Sequence, residues 1–293
     1  ARLDLARSNV EHDLGYVDRA LQHAQEAARV AEAVGAVGLA RAAYNNVAHL
    51  AALLANRDDA HAAMAKALSP SQLGTAEDLR VASTALMLAN AFGDHARAGG
   101  IVDAHRTASA ALSTSPARRF ALEHLGYLLS LGDTCAAVEL GFGLVETAGS
   151  DKRDRHGLDG SRLALAEALL RAGEHDAAGR VLAMLEGPSL LGVSAKYAHW
   201  VRLHALASAS LPTAAAELYH RAARIYGVCG DSIGRCNAVH DYLTLRASLA
   251  PAGSEASVVP HVTTLYEKPP ASFGRIDVAS DSTPTTMPDA VAS

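Results

Sequence analysis

Residues 40–68 read ARAAYNNVAHLAALLANRDDAHAAMAKAL. Apolar residues recur at three- and four-residue intervals on both sides of Asn56-Arg57-Asp58. That spacing predicts two helices, 41–55 and 59–68, folded back on each other across the polar turn. Ala48, Ala60 and Ala67 fall where the two rods must approach closely, because only small side chains let helix backbones nest.

Related units recur along the chain. A small residue opens the second helix of each hairpin just after a turn: Ala20 after Gly15, Ala60 after Asn56, Ala98 after Gly93-Asp94, Ala137 after Gly132-Asp133, Ala178 after Gly173-Glu174, and Ala215 after Ser210. The interval is about 39 residues, within the range of helical-hairpin arrays. The alternative, a non-repetitive alanine-rich bundle, leaves the coincidence of turn and small residue unexplained.

In order, the pattern predicts hairpins at 3–13 with 16–34, at 41–55 with 59–68, and at 76–91 with 96–112. It continues with 117–130 and 134–147, then 161–172 and 176–185, then 194–209 and 213–228. A last helix at 233–249 would cap the array. Breaks are expected at Gly35 to Gly38, Ser69-Pro70-Ser71, residues 113–116, the charged linker 149–160, and Gly187-Pro188.

The segments ALQHAQEAARVAEAVGAVGLARAAYNNVA (20–48), ALEHLGYLLSLGDTCAAVEL (121–140) and AAELYHRAARIYGVCGDSIGRCNAVHDYL (215–243) resemble the tetratricopeptide repeat family. The likeness is to its longer repeat, as in kinesin light chains, related scaffolds and several classes of bacterial regulator, and it covers roughly residues 1–249. The resemblance implies an all-α, right-handed superhelical solenoid of about six hairpins plus the capping helix. The family's large aromatic of the first helix is mostly Leu or Ala here.

Composition agrees with helices. The chain of 293 residues is 49% apolar and only 4% aromatic, so its core must be Ala, Leu and Val. A net charge of −5, with both signs interspersed, argues against a nucleic-acid surface. No apolar run approaches the roughly 20 residues that cross a bilayer. Cys135, Cys229 and Cys236 form a sparse, odd set that fits a reducing, cytoplasmic setting. The opening ARLDLARSNVEHDL begins inside a helix without a polar cap, which predicts a fragment of a longer protein. From Pro251 the composition changes: residues 250–293 hold six of the ten prolines and should be a disordered tail. Within it, YEKPPASFGR (266–275) has the form of a short linear motif.

Catalytic chemistry is thin. There is no HExxH, and His199 and His204 stand five apart, off one helical face. Cys229 and Cys236 lack zinc-ligand spacing. Gly141-Phe142-Gly143 lacks the third glycine and preceding strand of a dinucleotide site, and the acids at 151–159 lack the spacing of a calcium loop. No catalytic, metal or cofactor site is expected.

The resemblance places the first helix of each hairpin on a concave groove. In the family's carboxylate clamp, Asn9 and Asn46 match the two asparagines and Arg80 stands for the second lysine. Leu5 replaces the first lysine and Thr84 the arginine, so grip on an acidic terminus is weakened. Asn45, Asn46 and Arg80 remain candidates for contacting a peptide backbone. Arg119, Glu123, Trp200 and His204 extend the same face, Trp200 either as a binding anchor or as core packing. The function implied is a non-enzymatic interaction module for a peptide or partner domain. The alternative is the sensor or regulatory region of a larger bacterial transcriptional regulator or signalling ATPase, with an effector domain upstream.

Overall fold

The computed structural model describes residues 1–68, 75–110, 112, 114–150, 155–185 and 194–249. Among them are thirteen helices and no strand: α1 Arg2–Asp13, α2 Val17–Ala33, α3 Val37–Leu53, α4 Arg57–Ala67, α5 Ala76–Ala91, α6 His95–Ser109, α7 Ser115–Ser130, α8 Thr134–Ser150, α9 Arg155–Arg171, α10 His175–Ala183, α11 Ser194–Ala207, α12 Pro212–Cys229 and α13 Ser232–Leu249. Each helix packs on the next, and the odd-numbered helices from α3 to α13 also touch one another in succession. No helix among the described residues is long and apolar enough to cross a membrane.

The close crossings follow from the alanines. Ala20, Ala60, Ala98, Ala137, Ala178 and Ala215 are all at 0% exposure. Shortly before five of them the chain turns through a left-handed residue: Gly15, Ala55, Gly93, Gly132 and Gly173. Glycine takes that conformation without steric cost; Ala55, at φ 58°, does not. The second turn therefore lies one step earlier than its polar residues suggest. Asn56 is the N-cap of α4, its side chain accepting the Asp59 amide at 3.4 Å, and Arg57 and Asp58 are already helical. Asp94 caps α6 through the Arg97 amide at 3.1 Å, and Asp133 accepts the Ala136 amide at 3.1 Å.

The linker expected at 149–160 is helical from Arg155 onward. Burial outweighs its polar composition: Asp159 is 6% exposed and lies 3.7 Å from Arg162, and Gly160 faces Leu122 and Lys196. The expected breaks at Ser69–Ser71 and Gly187-Pro188, the acids at 151–154 and the tail with its 266–275 segment lie outside the described residues.

The core is a chain of clusters. One, from α2 to α5, centres on Val47, Leu50, Met64, Val81 and Leu88. Another, from α11 to α13, centres on Val201, Tyr219, Tyr226 and Tyr242. α13 reaches both, because its Ile233 packs against the first cluster while Ala238, Val239 and Tyr242 belong to the second.

Candidate functional site

Three helices separated by long stretches of chain share one cleft of about 470 Å³. α1 contributes Arg2, Leu5 and Asn9; α3 contributes Leu39, Ala42, Asn45 and Asn46; α5 contributes Glu77, Arg80 and Val81. Spacings of three and four residues put each set on one helical face. Leu5, Leu39, Ala42 and Val81 supply apolar surface, and the amides and guanidiniums supply the polar groups. Of the residues expected in the groove from the sequence, Asn9, Asn45, Asn46 and Arg80 come together here.

The asparagines are organised. Asn46 Nδ2 donates to Asn9 Oδ1 at 2.8 Å, tying α3 to α1. That bond leaves the Asn9 amide hydrogens and the Asn46 carbonyl oxygen for another partner, one donor and one acceptor side by side. Asn45 Oδ1 is buried without a hydrogen bond. Arg80 is exposed and has no ion pair among the described residues. Glu77 is drawn toward Arg41, whose Nη1 lies 3.8 Å from its carboxylate. Arg41 also donates from Nε to the Ala67 carbonyl at 2.7 Å, and its Nη2 lies 3.7 Å from Asp78. Asp78 in turn meets His105 Nε2 at 3.1 Å. This polar knot fixes α5 against α3, α4 and α6, and so sets the width of the cleft.

Thr84 does not line the cleft. It is 2% exposed, and its hydroxyl donates to the Arg80 carbonyl one turn back. The side chain expected to face the groove has here turned into its own helix.

Arg119 and Glu123 of α7 belong to a neighbouring part of the wall, with His12 of α1, His49 of α3 and Met87 and Asn90 of α5. The His12 and His49 rings pack edge to face with centroids 5.2 Å apart, and His49 Nδ1 lies 3.2 Å from Met87 Sδ. Asn90 Nδ2 donates to the Glu123 carbonyl at 3.0 Å. Burial, then the charge of Arg119, lowers the pKa of His49 well below that of free imidazole. His12 is also lowered, mainly by burial. Burial pushes the Glu123 carboxyl up to about 7, against the pull of Arg119. Near neutrality the two imidazoles are therefore uncharged, Glu123 is partly ionised, and Arg119 carries the charge of this wall.

Trp200 and His204 lie on α11, away from the cleft. Their rings meet edge to face at 4.2 Å, and Trp200 stacks on Tyr197 at 5.8 Å. Trp200 packs against the clusters of α9 to α13, so its ring is mainly a packing element. Trp200 Nε1 and His204 Nε2 are buried without hydrogen bonds.

A second polar constellation among the described residues was not anticipated from the sequence. Arg202 of α11, 5% exposed, donates from Nε to Asp241 of α13 at 2.7 Å and from Nη2 to Glu167 of α9 at 2.7 Å. Arg171 donates to the other Asp241 oxygen at 2.8 Å, and His199 Nε2 meets Glu167 at 2.9 Å. Burial opposes the Glu167 charge, yet Arg202, His199 and Arg171 together hold its pKa well below the usual carboxylate range. The same neighbours keep Arg202 protonated against its own burial, Glu167 first and Asp241 next. The network is balanced in charge and mutually satisfied, which makes it a brace rather than a binding site.

Among the described residues no group of His, Cys, Asp and Glu side chains is placed to hold a metal ion. Cys229 is buried and Cys236 exposed, with no disulfide between them. No family model matches the chain. No curated protein matches it either.

Proposed function

We propose that the chain is a non-enzymatic interaction module that binds an extended peptide, or an extended segment of a partner domain, along the cleft between α1, α3 and α5. The finer architecture belongs to the same reading: about six hairpins of the tetratricopeptide kind, stacked as a right-handed superhelix with α13 as its cap. The recurring left-handed turns, the buried alanines and the succession of odd-numbered helices support it.

One observation carries the reading. Asn9, Asn45, Asn46 and Arg80, drawn from three helices, converge on one cleft in which hydrogen-bonding capacity is left over. An amide donor and an amide carbonyl side by side match the C=O and N–H of an extended backbone. Arg80 adds a charge-assisted bond to an acidic group beside it.

Selection of a random peptide library on the full chain, followed by affinity measurement on variants, tests the proposal. A selected peptide should bind Asn46→Ala/Arg80→Ala at least about tenfold more weakly, since a hydrogen bond to a charged group contributes about 1.5–3 kcal/mol. The melting temperature should hardly move, because both side chains are at least partly exposed. Equal affinity for both proteins would remove the cleft from the function.

A further inference from the structure

The turn between α12 and α13 reaches across to the first two hairpins. A Cβ at Gly230 would lie 3.2 Å from Val17 Cβ and 3.5 Å from Leu54 Cδ2, and Ile233 packs into the cluster of α2 to α5. Val17 opens α2 and Leu54 follows α3, so the turn meets the ends of the hairpins beyond the cleft, whose lining on α1 and α3 stops at Asn9 and Asn46.

The turn is built stiffly. Gly230 sits at φ +73°, Asp231 caps α13 by accepting the Gly234 amide at 2.8 Å, and a Cβ at Gly234 would collide with the Tyr226 ring. Ile233 is thus presented to the first hairpins on a rigid mount, while Tyr226 anchors that mount in the core of α11 to α13.

The contact itself is small. The two helices of a hairpin pack along their lengths, whereas among the described residues α13 meets α3 only slightly, near Gly230 and Ile233. Interfaces with few apolar contacts open locally at low cost, and the states they release are populated at about 0.1–10%.

We infer that the α12–α13 turn is a latch that closes the end of the inner wall carrying His12 and His49, and that its release lengthens the surface open to a ligand. The latch joins segments far apart in sequence without a covalent tie. It therefore adds a second, reversible state to the array. The lengthened surface rests on the reading of the cleft as a site for an extended peptide, whereas closing and opening are read from the protein alone.

The test locks the latch. Val17→Cys with Gly230→Cys is made in the full chain with Cys135→Ser, Cys229→Ala and Cys236→Ser. The 3.2 Å separation is a few tenths of an ångström shorter than the disulfide range, and the cysteine introduced at position 230 would be held at a left-handed φ. Formation of the bond is therefore first verified by mass spectrometry, and the reduced variant serves as the reference. Amide hydrogen exchange at the C-terminal ends of α1 and α3, around His12 and His49, is compared before and after oxidation. Oxidation should slow it at least about tenfold, the suppression expected when a minor open state is removed. As a second variant free of new cysteines, Ile233→Asp should speed the same amides while leaving the main melting transition in place. Unchanged exchange on oxidation would show a contact that never opens and would overturn the latch. A single cooperative loss of the whole fold in Ile233→Asp would make the turn ordinary core, and would overturn it equally.

Discussion

Replacing Arg202 with methionine is the sharpest perturbation this fold offers. Arg202 is the one cation that bonds both Glu167 and Asp241 at 2.7 Å. Without it, Asp241 keeps Arg171 at 2.8 Å, and Glu167 keeps His199 at 2.9 Å and Arg171 at 3.8 Å. Breaking a buried pair by removing one partner costs about 3–5 kcal/mol; the remaining partners place Arg202→Met near the lower end, about 3 kcal/mol at neutral pH. The pH dependence has a definite sign. Glu167 has a folded pKa below its ordinary value of 4.5, so its contribution is present above that value and lost as pH falls through the folded one. In the variant the carboxyl loses its main cation, its pKa rises, and protonation relieves the buried charge. The gap between wild type and variant should therefore narrow between pH 7 and pH 4. Urea unfolding followed by the fluorescence of Trp200, the only tryptophan, reads this part of the fold directly. As a control, Arg106→Met breaks the exposed Arg106–Asp103 pair and should stay within about 0.5 kcal/mol. A loss below about 1 kcal/mol at pH 7 for Arg202→Met, or a gap that widens in acid, would refute the reasoning.

Other expectations follow from the same geometry. Glu123 has its folded pKa raised to about 7, so it favours folding below its unfolded value of 4.5 and that benefit fades as pH rises through 7; Glu123→Gln should flatten stability over this window and stabilise the protein at pH 8, read by thermal melts across pH. Ala60→Leu and Ala137→Leu insert bulk at crossings with 0% exposure and should each cost about 1–3 kcal/mol by urea titration; full stability in either would misplace the helix contacts. Ala55→Gly should leave stability unchanged or raise it by up to about 1 kcal/mol, because it relieves a left-handed alanine while loosening the unfolded chain; clear destabilisation would contradict the strain at φ 58°.

Much of the helical order was legible because its causes are local. Turns and small residues sit next to each other in the chain, and the apolar period is short. The start of α9 was missed because what holds Asp159 and Gly160 in helix is burial against distant segments, not composition. Asn9, Asn46 and Arg80 could be placed together by the expected period of about 39 residues, whereas Thr84, placed by the same expectation, turned inward. The brace of Glu167, Arg202 and Asp241 left only a faint trace, charged residues set among apolar ones on three helices far apart in sequence. The meeting of Ile233 with the cluster of α2 to α5 left none, since no local pattern in a sequence records a contact between segments so far apart.

Where a bound peptide lies is the question closest to the central claim. A photo-crosslinking residue at Asn45 on the cleft wall, compared with one at the exposed Arg180 on α10, would answer it by mass spectrometry of the adduct formed with a library-selected peptide. The account predicts crosslinks from position 45 and none from position 180. Adducts from position 180 alone would contradict it.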